Sequence, residues 1–119
     1  MKTLEHKIAL IIGSNGGPDT DKVPLQFAEA SAYRLADVLQ SPACGFTLHC
    51  PPLLGAATTS DAVRQALLDA RRAAGPADLL LIAYIGHGRW MEIEAGRSDV
   101  YLVTHNFRPA DIADDENAG

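Results

Sequence analysis

A histidine stands between two glycines, Gly86-His87-Gly88, directly after the apolar run at residues 79–85. Imidazole changes charge near neutral pH and so can take and deliver a proton, while glycine lets backbone approach a bound group with no Cβ in the way. Two other features carry possible chemistry: the thiols of Cys44 and Cys50, and the glycine-rich turn Ser14-Asn15-Gly16-Gly17. Residue type alone leaves two readings of His87 open. It is either a proton-transfer group in a site, or a hydrogen-bonded, inert histidine closing a strand beside two turn glycines.

The turn is a poor phosphate loop. Its residues match neither G-x-x-x-x-G-K-[ST] nor G-x-G-x-x-G, and Pro18 removes an amide donor where a phosphate would need one. A glycine-rich turn lining a pocket is the better reading. The cysteines are six residues apart with no second pair, which resembles neither a zinc site nor a disulfide framework, so both are expected as reduced packing residues.

These groups need elements to hold them. Residues 7–13, KIALIIG, form an aliphatic and β-branched run ending in glycine, the pattern of a strand covered on both faces. Leu25, Ala28, Ala32, Leu35 and Leu39 recur at steps of three and four and predict a helix that stops before Pro42. Residues 45–50 alternate apolar and polar and are stopped by Pro51-Pro52, which predicts a short second strand near an edge. Thr58, Thr59, Ser60 and Asp61 offer N-caps for a second helix whose apolar face is Val63, Ala66, Leu67 and Ala70, ending at Gly75-Pro76. Residues 77–85 predict a third, fully buried strand.

The order β-α-β-α-β implies right-handed crossovers and a parallel sheet between two helix layers, a three-layer α/β fold. The first strand, with the longest apolar run, is expected in the middle, giving strand order 2-1-3. Residues 90–93 and 100–103, separated by a polar turn at 94–99, predict a hairpin after the third strand. That arrangement leaves one edge of an apolar third strand unpaired, so a further strand from another chain or segment is expected to complete the sheet.

Ligands and catalytic groups in such sheets collect at the carboxyl ends of strands, where the turn after strand 1, Cys50 after strand 2 and His87 after strand 3 all fall. With order 2-1-3, Cys50 and His87 are separated by two strand spacings, roughly 10 Å, too far for the hydrogen bond of about 3 Å that a base must make.

Composition narrows the function. The chain has 119 residues, 47% hydrophobic and 21% charged, the profile of one folded domain. Ten Lys and Arg against fifteen Asp and Glu leave a net charge of −5 with no basic run, which speaks against nucleic acid as a partner. No apolar run approaches the roughly 20 residues of a membrane span, and no signal region precedes residue 7, so a cytoplasmic location without membrane contact is the expectation. No cluster has metal-ligand spacing, and neither a metal nor a cofactor is expected.

The layout resembles the caspase-like cysteine peptidases, the superfamily of caspases, metacaspases and bacterial relatives. The resemblance rests on residues 9–15 (ALIIGSN), the first helix with Ser31-Ala32 and residues 35–39, Gly45-Phe46, and residues 78–85 followed by Gly86-His87-Gly88. Tyr101-Leu102-Val103 fits the end of the family's small hairpin. It implies that residues 1–107 are a large-subunit-like segment and that residues 108–119 are an acidic, flexible tail near a possible processing site. It also implies that His87 is the catalytic histidine, that the Gly88 amide contributes to an oxyanion hole, and that the substrate is a protein or peptide.

Two departures qualify that picture. Metacaspases carry an Asp-Ala pair on the first helix that helps hold a basic P1 side chain. Here Ser31 takes the aspartate's place as the substrate-binding candidate, so a preference for Arg or Lys does not carry over. The family's nucleophilic cysteine follows a further strand, and this sequence contains no such strand. The partner implied is therefore a cysteine-bearing second subunit or segment. Two rival readings stand beside this one: a catalytically inactive caspase-like binding or regulatory module, and a small-molecule-binding α/β domain using the turn after strand 1.

Overall fold

The computed structural model describes residues 5–16, 25–103 and 105. Strand β1, Lys7–Gly13, is the centre of an open parallel sheet. Strand β4, Leu79–Ile85, pairs with it along its whole length, from Lys7↔Leu79 to Gly13↔Ile85. The other edge of β1 is shared by two short strands, β2 (Thr47–Leu48) against Ile8 and Ala9, and β3 (Leu53–Leu54) against Ile12 and Gly13. The expected order 2-1-3 is therefore present, with the second strand split in two. The split falls at Pro51-Pro52 because proline has no amide hydrogen to give the ladder; the chain stays beside β1 and resumes pairing at Leu53.

Alternation along β1 decides which helix covers which face. Ala9 and Ile11 pack with Ala32, Ala36 and Leu39 of helix α1, Ala28–Gln40. Leu10 and Ile12 pack with Val63 and Ala70 of helix α2, Ser60–Ala73. Each successive side chain of a strand points to the opposite face, so one seven-residue strand anchors both helix layers. Gly13 marks the closest approach of sheet and helix: a Cβ there would lie 2.5 Å from the Ala32 Cβ.

The two helices begin differently. Thr59 caps α2 with its own side chain, which accepts from the Ala62 amide at 3.2 Å; Asp61 in the first turn and Arg71 and Arg72 in the last suit the helix dipole. Helix α1 starts at Ala28, three residues later than the apolar periodicity suggests, and its N-cap residue Phe27 offers no side-chain acceptor. The cap comes from the segment that follows β1. Asn15 Oδ1 accepts from the Glu29 amide at 3.2 Å, and Glu29 Oε2 accepts from the Asn15 amide at 3.0 Å.

The expectation that strand 77–85 is fully buried fails. No residue of β4 is fully buried, and Leu79 and Ile82 are 41% and 46% exposed. Both helices sit over β1, so β4 lies at the margin of their cover, and among the described residues its second edge pairs with no strand.

The hairpin follows as expected, β5 (Gly88–Glu94) antiparallel to β6 (Arg97–Leu102), with a tighter turn than the polar stretch 94–99 suggests. Only Ala95 and Gly96 lie outside the strands, and Gly96 adopts φ 78°, a conformation that side chains disfavour. No described helix is long and apolar enough to cross a membrane. The expected acidic tail at 108–119 lies outside the described residues.

Candidate functional site

Four segments meet at the carboxyl end of the sheet: Ser14 to Gly16 after β1, Gly55 to Thr58 after β3, Gly86 and His87 after β4, and Val103 with His105 after β6. The end of β1 is joined to the end of β4 by the Ser14 amide, which donates to the Ile85 carbonyl at 3.0 Å. Ser14 and Thr58 are buried polar residues, and both are satisfied locally: Ser14 Oγ accepts from the Gly16 amide, and Thr58 Oγ1 donates to the Gly55 carbonyl. The Thr58 carbonyl in turn accepts from the His105 amide at 2.9 Å, tying the exit of the hairpin to the loop that opens α2.

His87 is half-buried at this edge. Its carbonyl oxygen accepts from the Val103 amide at 2.9 Å and from the Tyr84 hydroxyl at 3.0 Å. The same hydroxyl lies 3.0 Å from the Val103 carbonyl, so one phenolic proton serves two acceptors. Burial raises the Tyr84 phenol above its ordinary pKa, partly offset by the bond to Val103, which keeps the hydroxyl protonated as a donor.

This arrangement fixes the direction of the next amide. The His87 carbonyl and the Gly88 N–H belong to one planar peptide, and in a trans peptide they point opposite ways. With the carbonyl turned toward Val103, the Gly88 N–H points away from β6. The register agrees, since Gly88 opposite Leu102 with the His87–Val103 bond beside it is a non-hydrogen-bonded pair, whose amides face outward. Gly88 is exposed, so a backbone donor is presented outward one residue from an imidazole.

The glycine before His87 has a steric cause. A Cβ on Gly86 would lie 2.6 Å from Tyr84 Oη and 2.8 Å from the Ser14 carbonyl. Sequence pattern does not single out Tyr84; its signal is an aromatic three residues before the histidine, on the strand face that packs toward α2.

The cysteines are placed away from this chemistry. Cys50 precedes β3 instead of closing the sheet edge, so the expected position at the carboxyl end belongs to Gly55 and its neighbours. It packs against the cluster of Leu10, Ile12, Val63 and Ala70, and burial, assisted by the charge of Asp69, raises its thiol pKa, which opposes thiolate formation. Strand β1 stands between the strand it follows and the strand that carries His87. Cys44 lies at the other end of the sheet, where its carbonyl accepts from Lys7 Nζ at 3.0 Å.

Ser31 lies in the first turn of α1, on its solvent side, and with Phe27, Ala30 and Arg34 lines a shallow surface pocket of about 310 Å³. The Asn15–Glu29 link ties this turn of α1 to the segment that follows β1. Glu5, His6 and Asp78 bring three potential ligand atoms within 4.8 Å of one another, a grouping that sequence spacing did not reveal. It lies at the amino end of the sheet, where His6 and Asp78 form a 2.9 Å pair. Comparison with protein-family models, with curated proteins and with solved structures finds no match.

Proposed function

We propose that this chain is the histidine-bearing part of a caspase-like cysteine endopeptidase, working with a cysteine-bearing segment or subunit. The observation that carries the reading is that His87 is followed directly by an outward Gly88 amide, at the end of a strand whose second edge pairs with no strand among the described residues. A strand laid along that edge of β4 would bring its own carboxyl end beside His87, within reach of a thiol.

In this mechanism the partner's thiolate attacks the scissile carbonyl carbon, and the C=O electron pair moves onto oxygen, where the Gly88 N–H donates to it. A positioned backbone donor of this kind contributes about 3 kcal/mol to lowering the barrier. Protonated His87 gives its proton to the leaving amine as the C–N bond breaks, leaving a thioester. Water then attacks the thioester carbonyl as His87 takes its proton, and the C–S bond breaks to release the carboxylic acid and restore the thiolate beside protonated His87. Ser31 and the pocket beside it would meet the substrate side chain, and with no carboxylate at Ser31 the metacaspase preference for Arg or Lys does not carry over.

The test is peptide cleavage by the native protein, with its companion segment, against a peptide library. His87→Ala should abolish turnover by about a hundredfold or more. Retained cleavage rules the role out. An unprocessed native chain that cleaves nothing but captures an extended peptide along β4 would favour the regulatory-module reading instead.

A further inference from the structure

The peptide between His87 and Gly88 is held from its carbonyl side by Val103 and Tyr84 together. A carbonyl that accepts hydrogen bonds draws electron density from its own peptide nitrogen, and the N–H of that peptide becomes a stronger donor. The Val103 bond extends the hairpin ladder and would form in any such turn. The Tyr84 bond is additional: it comes from a side chain, and the chain sets Gly86 under the phenol so that the hydroxyl can reach. The hydroxyl also joins the end of β4 to the exit of β6 through the Val103 carbonyl.

Resting on the function proposed above, we infer that Tyr84 is a positioning residue whose hydroxyl, bound to the His87 carbonyl, aims and strengthens the Gly88 amide as donor to the developing oxyanion. The ring fills space on the α2 face whether or not it carries oxygen, so its packing and its hydrogen bond are separable. Tyr84→Phe keeps the ring and removes the hydroxyl's bonds to the His87 and Val103 carbonyls.

Two readouts on the native protein test this. Tyr84→Phe is expected to move the Gly88 amide proton resonance upfield in an NMR spectrum, with amides of α1 and α2 unmoved, and to lower kcat about fivefold with KM within about twofold. Gly86→Ala keeps the phenol but crowds its oxygen, and should displace the Gly88 resonance the same way. An unmoved Gly88 resonance and an unchanged kcat in both variants overturn the inference, while His87→Ala still abolishing cleavage keeps the proposed function. Cleavage that survives His87→Ala overturns the proposed function, and the Gly88 resonance then judges the hydrogen-bond claim by itself.

Discussion

Asn15 and Glu29 cap each other: each side chain accepts from the other's backbone amide, at 3.2 and 3.0 Å, across fourteen positions of sequence. The pair does for α1 what a local N-cap does elsewhere, and it fixes the turn after β1 against the first turn of the helix that bears Ser31. Replacing either side chain should cost about 1 kcal/mol, the usual value of a helix cap. Urea unfolding of Asn15→Ala, Glu29→Ala and the double variant is expected to show less than additive loss, because each single change already breaks the reciprocal unit.

Gly13 and Ala32 define the depth of the α1 layer. With only 2.5 Å between a built Cβ and Ala32 Cβ, and 3.2 Å to the Ala28 carbonyl, Gly13→Ala forces the helix outward and should cost about 1–3 kcal/mol. Ala32→Gly in the same chain relieves the clash, and the double variant is expected to be more stable than the sum of the two losses implies. Equilibrium unfolding of the three variants decides it.

Much of this fold can be read from residues alone, and the reasons are particular. The β1 run KIALIIG is apolar on both faces because both helices dock on it, and that same property places it centrally. Residues 79–85 are equally apolar yet only half-covered, since an apolar run reports what a strand can bury and not what lies over it. Pro51-Pro52 interrupts hydrogen bonding without turning the chain away, which a rule that treats proline as a stop misses. At the site, Gly86-His87-Gly88 draws notice by composition. The hydroxyl of Tyr84 does not, because its link to the His87 carbonyl exists only once the chain has turned at Gly86.

Asp78 should give stability an acid limb. Its carboxylate accepts from the Gly75 amide at 2.8 Å and pairs with His6 at 2.9 Å, and these, the Gly75 bond first, hold its pKa below the ordinary value. Because the folded carboxyl is the more acidic one, its contribution is complete above the ordinary carboxylate pKa, about 3.9, and is lost as pH falls through the lower folded value. Thermal melting from pH 6 downward should show Asp78→Asn less stable at pH 6, with the difference closing in acid. An equal difference at every pH would contradict this.

Cys50 should behave as a packing residue. Its raised thiol pKa, from burial first and Asp69 second, makes the thiolate scarce at neutral pH. Alkylation with iodoacetamide, followed by mass spectrometry, should be slow at pH 7 and speed up only above the ordinary thiol range. Cys50→Ala is expected to leave peptide cleavage intact; its loss in a folded variant would place the nucleophile within this chain.

In the proposed function, His87 serves a thiol delivered beside β4. A peptide-based electrophile that alkylates catalytic cysteines, applied to the native protein and mapped by mass spectrometry, tests it most directly. The adduct is expected on a cysteine outside this chain's Cys44 and Cys50 and should disappear in His87→Ala. An adduct that persists in His87→Ala, or that sits on Cys50, would contradict it.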